Sequence, residues 1–188
     1  MSKEFIRKYL NNYTSLLQHT EDIINDLITI KNQCLAIHNQ GKKLMIIGNG
    51  GSAAIASHVS VDLTKNAKIR CINFNESDLI TCFANDFGYE EWHAQAIAHY
   101  ADPGDGLIAI SSSGNSKNIL NACKKAKEKS CDFIVTLSGF NPNNPLKQLG
   151  DINLHINSNA YNMVENIHQF WLLTIVDLII GKTDYPAN

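Results

Sequence analysis

The sequence predicts an α/β fold: a doubly wound, flavodoxin-like domain in which helices cover both faces of a five-stranded parallel sheet. Three observations predict it. Short apolar runs alternate with longer segments whose apolar residues recur every three or four positions. Several of these runs are apolar on both faces, which is typical of parallel strands that are buried on both sides. Two of them lead directly into loops rich in glycine and serine, and ligands bind beyond the carboxyl ends of such strands.

The elements follow in order from the N-terminus. Residues 3 to about 40 have apolar side chains at helical spacing, which predicts one or two amphipathic helices that end near Gly41. Strands and helices then alternate to the end of the chain. The expected strands are 43–49, 68–74, 106–113, 131–139 and 151–157. The expected helices are 52–66, 76–86, 89–101, 116–130 and 161–181, with a short helical turn at 144–150.

Length and composition restrict the class of protein. The 188 residues suit a single domain, 1–188, with an N-terminal helical segment, 1–41, and an α/β core, 42–188. A formal net charge of −2 offers no basic surface to a nucleic acid. The apolar stretch "FWLLTIVDLII" is too short to span a membrane and is expected to be a buried or intersubunit helix face. The N-terminus lacks the apolar centre of a signal peptide, so we expect a cytoplasmic protein without a membrane partner.

Two groups of side chains are expected to be structural. The five cysteines are scattered and form no C-x-x-C pair, which is typical of small buried thiols in a reducing compartment. One predicted helix carries Trp92, His93, His99 and Tyr100, and we expect these polar aromatic side chains at the surface or at a subunit contact, with the lining of a pocket as the less favoured alternative.

The first loop, "GNGGSA", follows the strand at 43–49. Gly48, Gly50 and Ala53 match the G-x-G-x-x-A pattern of dinucleotide sites. Dinucleotide sites have an acidic residue at the end of the next strand that binds the ribose. Here the first acidic residue is Glu76, which lies beyond the end of that strand. The other use of this loop is to bring backbone N–H groups to an anion at a helix N-terminus, with Ser52 as an extra donor. The sequence therefore predicts no nucleotide cofactor.

The second loop, "ISSSGNSKN", supplies the stronger signal. Ser111, Ser112, Ser113 and Ser116 surround Gly114 between a strand and a helix. Four hydroxyls together with the amides at a helix start form a compact cradle for one dianionic phosphate. The alternative is that the serines only cap the helix, but one serine would be enough for that.

The motifs "GNGGS…H…D", "ANDFG" and "SSSGNS" together resemble the sugar isomerase (SIS) domain and, within it, the phosphoheptose isomerases. The resemblance runs over nearly the whole chain. It implies the conversion of sedoheptulose 7-phosphate to D-glycero-D-manno-heptose 7-phosphate, for lipopolysaccharide or capsule heptose. It also implies a homo-oligomer, a tetramer, with sites between subunits and a bundle built from the N-terminal helices.

The resemblance also implies which residues contact the substrate. The serine loop would grip the phosphate, and Asn85 and Asp86 of "NDFG" would face the substrate. The sugar chain would be contacted by Asn49, Gly50, Gly51 and Ser52. From the residues alone, Asn85 and Asp86 are more typical of a turn or a helix C-terminus than of a binding site.

The catalytic set is implied in the same way. The family has a histidine and, four residues later, a glutamate that bind zinc after the first loop; here these positions hold His58 and Asp62, which one helix face brings together. In the last helix the family has a glutamine and, eight residues later, a histidine; here these positions hold Glu165 and Leu173. Zinc or another divalent metal would be held by His58, Asp62 and Glu165, with His168 or Gln169 as candidates for a further ligand. For His168, a structural role near a subunit contact is favoured at least as much.

The implied reaction is an aldose–ketose isomerisation through an enediol. Glu165 or Asp62 would be the base that moves the proton, and Glu165 would also contact substrate. His58 would be a metal ligand or an acid. The absence of the family histidine leaves two alternatives open: a non-catalytic scaffold that binds a sugar phosphate or a replication-initiator protein, or an isomerase of a different phosphosugar.

Overall fold

A computed structural model describes residues 1–18 and 20–185 and contains one parallel sheet of five strands. The strand order is β2-β1-β3-β4-β5, and every neighbouring pair is parallel. The strands are β1 (Leu44–Ile47), β2 (Cys71–Ile72), β3 (Gly106–Ser111), β4 (Phe133–Ser138) and β5 (Ile152–His155). This is the flavodoxin-like order, in which the winding reverses between β1 and β3. The predicted fold class is confirmed.

Seven α-helices surround the sheet in the described part of the chain. They are α1 (Ser2–Leu16), α2 (Glu21–Asn39), α3 (Gly51–Lys65), α4 (Ser77–Phe87), α5 (Trp92–Tyr100), α6 (Lys117–Glu128) and α7 (Tyr161–Ile180), with a 3-10 turn at Pro145–Gln148. The N-terminal segment forms two helices. Thr20 is the N-cap residue of the second, α2, and its side chain accepts a hydrogen bond from the N–H of Ile23. The second of them ends at Asn39, and Gly41 follows its C-cap residue Gln40 with a φ of 73°, which suits glycine just after a helix.

The second strand is much shorter than the predicted 68–74. Cys71 and Ile72 pair with β1, and among the described residues this edge strand has no other neighbour. The chain leaves the ladder directly afterwards, because the side chain of Asn73 accepts a hydrogen bond from the N–H of Asn75 and closes a local turn. The turn closed by the Asn73 side chain therefore takes the place of the strand hydrogen bonds that the apolar pattern predicted for residues 73 and 74.

Two apolar layers cover the sheet, one on each face. Alternate residues of β1 belong to different layers: Ile46 packs with α2, α3 and α7, whereas Met45 packs with α5 and α6. Both side chains have an exposed fraction of 0%. This burial on both faces explains why the strands are continuous apolar runs rather than alternating ones.

The prediction for helix α5 was wrong at its first two residues. Trp92 and His93 are buried, with exposed fractions of 2% and 0%, while His99 and Tyr100 are exposed as expected. The N-terminal part of α5 packs against α6, and the amide of Asn118 donates a hydrogen bond to His93 Nδ1, whereas the buried His93 Nε2 has no partner among the described residues.

Helix α7 is long and apolar enough to cross a membrane by length and composition, but its inner face is core. The buried side includes Ile167, Trp171 and Ile175, which pack in the layer shared with α2 and α3.

The cysteines are mostly interior thiols. Cys34, Cys71 and Cys123 are buried, Cys131 is half-buried and Cys82 is exposed. Burial raises the pKa of Cys34 and of Cys123 to about 12, so these thiols are poor nucleophiles.

Candidate functional site

A cavity of about 110 Å³ lies where the first strand and the third strand end, several times the space that one water needs. Because β1 and β3 are paired neighbours, the loops that follow them meet at this edge. The cavity is lined by Asn49, Ser52, Ile110, Ser111, Ser112, Ser113, Ser116, Tyr161 and Glu165. Both loops and the start of α7 thus face one space at the switch point of the sheet.

The serine loop 111–116, called the cradle below, keeps its hydroxyls available. Ser116 is the N-cap residue of α6, but its side chain makes no capping hydrogen bond. Instead, the Oγ atoms of Ser111 and Ser116 lie 3.1 Å apart. Ser112 Oγ is buried and has no hydrogen-bond partner among the described residues. A buried hydroxyl without a partner is costly, so the cradle has the donor that an anion in the cavity would use.

Gly114 closes the cradle against the interior. Its φ of 67° favours glycine, and a Cβ atom there would overlap the side chain of Asn144. Asn144 is buried and donates to Ser138 Oγ at 3.1 Å and to the carbonyl oxygen of Asn141 at 2.8 Å. Leu146 N donates to the carbonyl oxygen of Gly114 at 3.1 Å. The cradle is therefore fixed from below by a residue that the sequence analysis missed. An asparagine before Pro145 is a typical N-cap, which is the signal that could have located it.

Glu165 approaches the first loop at Gly51. A Cβ atom on Gly51 would overlap the Glu165 carboxylate, so the glycine is needed for this close contact. The carboxylate thus sits at the N-terminus of α3, where the helix dipole favours negative charge. Burial raises the pKa of Glu165. A part-buried carboxylate with a raised pKa on the wall of a cavity is suited to accepting and returning a proton.

His58 and Asp62 are brought together as the spacing of four predicts. His58 Nε2 lies 3.3 Å from Asp62 Oδ2, and its Nδ1 lies 3.0 Å from the side-chain nitrogen of Gln169. An amide nitrogen donates, so Nδ1 accepts and the Nε2–H donates to the carboxylate. The His58 side chain is 50% exposed and that of Asp62 is 20% exposed. Both ring nitrogens of His58 are already engaged by protein groups.

The three predicted metal ligands do not form one cluster. Within 1–18 and 20–185, no group of three His, Cys, Asp or Glu side chains is arranged to hold a metal ion. Glu165 contacts Gly51, which lies seven residues before His58 on α3, or about 10 Å along the helix axis. A tetrahedral zinc site needs three or four closely gathered ligands, so the donor set of this chain does not fit zinc.

The two alternative positions on α7 differ in where they lie. His168 is fully buried, its Nε2 lies 3.1 Å from the carbonyl oxygen of Ser138, and it faces the core rather than the cavity. Burial lowers the pKa of His168 to about 4, so the ring is neutral. Leu173, at the position of the family histidine, packs against the same core layer. Of the two alternative ligands on α7, His168 and Gln169, it is Gln169 that forms a hydrogen bond with His58.

Asn85 and Asp86 do not line the cavity. Both are exposed in the last turn of α4, where Asn85 Nδ2 donates to Asp86 Oδ1 at 2.9 Å, and Gly88 ends the helix with a φ of 86°. The neighbouring Tyr89 instead reaches Asn49, with its hydroxyl 3.2 Å from Oδ1. Sequence reasoning also missed Tyr161, although it lies four residues before Glu165 on the same face of α7.

Comparison with known proteins agrees with this geometry. A family model of the SIS domain matches residues 8–138. A probable phosphoheptose isomerase of Thermoplasma acidophilum is 31% identical over 168 residues, which are 86% of this chain and 88% of that protein. The phosphoheptose isomerase of Aliarcobacter butzleri is 30% identical over 191 residues, covering 98% of this chain and 100% of that protein.

A solved structure shares the fold. The phosphoheptose isomerase GmhA of Neisseria gonorrhoeae superposes with a TM-score of 0.89 over 96% of this chain and 100% of that chain, at 22% identity. The chain therefore belongs to the SIS-domain family and, within it, to the phosphoheptose isomerases.

Proposed function

We propose that this protein is a phosphosugar isomerase that interconverts sedoheptulose 7-phosphate and D-glycero-D-manno-heptose 7-phosphate. One observation carries the proposal: a single cavity is lined both by the serine cradle and by the part-buried Glu165 carboxylate. The first suits a phosphate and the second suits proton transfer. The relatives named phosphoheptose isomerase support the choice of a seven-carbon sugar.

The cradle supplies binding energy at a distance from the reacting carbons. The buried hydroxyl of Ser112, the hydroxyls of Ser111 and Ser116, and the free amides at the start of α6 would bind the phosphate. Such remote binding orients the sugar and converts the reaction into an intramolecular one.

Proton transfer would be carried out by Glu165. Starting from the ketose, its carboxylate removes a proton from C1, and the C2 carbonyl oxygen takes up a proton to give the enediol. The carboxylic acid then returns the proton to C2 while the hydroxyl on C1 loses its own proton and becomes the aldehyde. The two carbons exchange oxidation states within one molecule, so no nucleotide cofactor is needed. His58 is the other candidate acid, but its Nε2–H donates to Asp62 and its Nδ1 accepts from Gln169, so the protons on the oxygen atoms are exchanged with water.

Zinc is the metal that the family resemblance implies, and the donor set of this chain does not fit it. The described residues place one imidazole and one carboxylate together, fewer than the three ligands of a zinc enzyme. We route no step through a metal. Exhaustive chelation is therefore expected to leave the turnover rate unchanged, whereas loss of activity that zinc restores would show that the ligand set is completed in another way.

We also propose that the chain is a cytoplasmic homo-oligomer, a tetramer, in which residues 1–41 of a single domain 1–188 form the contact. The support is the apolar surface of α1, where Phe5 is 67% exposed and Leu10 is 58% exposed. Contiguous exposed apolar side chains mark protein contacts. Light scattering after gel filtration tests this, with a monomer mass as the contrary result.

The test of the isomerase itself is proton exchange in deuterated water. Sedoheptulose 7-phosphate should gain deuterium at C1 or yield an aldose deuterated at C2, and NMR detects both. The replaced family histidine at Leu173 favours a second candidate, a non-catalytic protein that binds sugar phosphates. Thermal stabilisation by a panel of sugar phosphates without any exchange would select that candidate.

A further inference from the structure

A pair of asparagines connects the cavity to the interior. Asn49 Nδ2 donates to Asn118 Oδ1 at 2.9 Å, and Asn118 Nδ2 donates to Asn49 Oδ1 at 2.8 Å, so the two amides bond reciprocally. Asn49 lines the cavity, whereas Asn118 lies in the first turn of α6 with an exposed fraction of 3%. Asn118 Nδ2 also lies 3.1 Å from Nδ1 of the fully buried His93.

The orientation of these groups follows from one backbone donor. The N–H of Ile119 is shared between the carbonyl oxygen of Ser116 at 3.0 Å and Asn118 Oδ1 at 3.1 Å, and a backbone N–H can only donate. The atom that faces it is therefore the oxygen of Asn118, and the opposite atom is the nitrogen with two hydrogens. One hydrogen goes to Asn49 and the other to His93 Nδ1. His93 Nδ1 must accept, so the ring is neutral with its proton on Nε2.

The consequence at the cavity concerns Asn49. Its Oδ1 accepts from Asn118 Nδ2 and from the Tyr89 hydroxyl, so both acceptor positions of that oxygen are used. Its Nδ2 gives one hydrogen to Asn118, and the second has no partner among the described residues. Asn49 can therefore offer the cavity a donor but no acceptor.

We propose that His93 is a positioning residue that, through Asn118, presents Asn49 to the substrate as a hydrogen-bond donor. This inference rests on the proposed function, because a donor beside the cradle suits an oxygen of a sugar phosphate. A reversed Asn49 would turn its carbonyl oxygen toward an anionic ligand and repel it. Burial lowers the pKa of His93 to about 3, and this agrees with the neutral ring.

The first test is direct and uses the unmodified protein. Long-range proton–nitrogen NMR of the His93 ring is expected to show a protonated Nε2 and an unprotonated Nδ1 at pH 7. The opposite tautomer would overturn the inference, whether or not the protein is an isomerase. This measurement stands even where a variant fails to fold.

The second test compares two variants at His93 with a control on the same helix. His93→Leu removes the acceptor and should raise KM for sedoheptulose 7-phosphate about fivefold to tenfold with kcat within about twofold, the effect of one lost neutral hydrogen bond. His93→Asn places an oxygen near the former Nδ1 and should restore KM. The control His99→Leu, at an exposed position, should change neither KM nor kcat.

Unchanged KM in a folded His93→Leu protein, or no rescue by asparagine, would contradict the positioning role. Wild-type protein without any turnover would instead refute the proposed function, and the dissociation constant from calorimetry would then replace KM.

Discussion

The cradle and the group of side chains on the facing helices, Glu165, His58, Asp62 and Gln169 (the helix-face group), are built in different ways. The cradle is one contiguous loop, and buried Asn144 holds it from below. The helix-face group combines side chains from α3 and α7, and its His58 is 50% exposed. Binding of the phosphate is therefore fixed by the edge of the sheet, whereas the proposed chemistry depends on how two helices pack.

The register of the sheet places the start of the cradle at the end of a strand ladder. Ser111 pairs with Ser138 at the end of the ladder between β3 and β4, and Gly139 N donates to the carbonyl oxygen of Ser112 at 2.8 Å. Backbone hydrogen bonds thus hold the start of the loop. The helix-face group depends on side-chain contacts between α3 and α7, that of Glu165 with Gly51 and that of Gln169 with His58. Changes in the two regions should separate into effects on KM and effects on kcat.

The largest effect is expected from Glu165→Gln, which removes the proposed base. Loss of a general base costs about 10²–10⁴ in rate, so kcat should fall by about 10³ while KM changes little. Because burial raises the pKa of Glu165, the wild-type kcat should fall as the pH drops through that raised value, and the variant should lack this acid limb. Exchange kinetics from pH 4.5 to pH 8 measure both.

The control is Glu76→Gln, at an exposed carboxylate that does not line the cavity. Asp62→Asn distinguishes the two carboxylates. A larger loss in Asp62→Asn than in Glu165→Gln would assign the base to Asp62 and would reverse the roles proposed above.

The second effect comes from Gly51→Ala, which tests the contact between the helices. The added methyl group overlaps the Glu165 carboxylate and must displace it. A misplacement of about 1 Å can cost about 10² in rate, so kcat should fall by about that factor without a change in KM. Combining Gly51→Ala with Glu165→Asp shortens the acid by one methylene and should recover part of the loss. Strictly additive effects on kcat would mean that the contact does not position the carboxylate.

The third effect comes from Ser112→Ala in the cradle. A hydrogen bond to a charged group contributes about 1.5–3 kcal/mol, so KM should rise at least about tenfold at constant kcat. The free energy of unfolding should stay within about 0.5 kcal/mol of wild type, because Ser112 Oγ has no internal partner to lose.

Ser60→Ala is the matched control for a buried serine outside the cavity. Its Oγ donates to the carbonyl oxygen of Ser57 at 2.9 Å and accepts from Asn73 at 2.8 Å. This variant should lose about 1 kcal/mol of stability and keep its KM. If Ser112→Ala and Ser60→Ala changed KM equally, the specific role of the cradle in substrate binding would be contradicted.

The same contrast explains what the sequence could predict. The cradle and the parallel sheet were predictable because strand, loop and helix follow one another within about a dozen residues. His58 and Asp62 were predictable as a pair because a spacing of four fixes them on one helix face. These features are local: each depends on residues that are close together in the sequence, so a short stretch is enough to predict it.

The remaining features depend on contacts between distant parts of the chain. The contact of Gly51 with Glu165 and the support of Gly114 by Asn144 each join separate elements. Glu165 itself was found through family resemblance and not from its own stretch of sequence. The burial of His93 depends on Asn118. The spacing of residues on α7 likewise could not show that His168 faces the core and Gln169 faces His58.

The smallest effect concerns the core side of α7, behind the helix-face group. Burial lowers the pKa of His168 to about 4 from an ordinary 6.5, so the unfolded chain binds a proton more readily than the folded one. Its contribution to stability is complete above pH 6.5 and is lost as the pH falls to about 4, at up to about 1.4 kcal/mol per pH unit. His168→Gln keeps a donor for the Ser138 carbonyl oxygen and cannot become charged, so its free energy of unfolding should fall less steeply over this window. Urea titrations at pH 7, 6 and 5 measure the slope, with exposed His99→Gln as control. An unchanged slope in His168→Gln would mean that the acid sensitivity of the fold arises from other titrating groups.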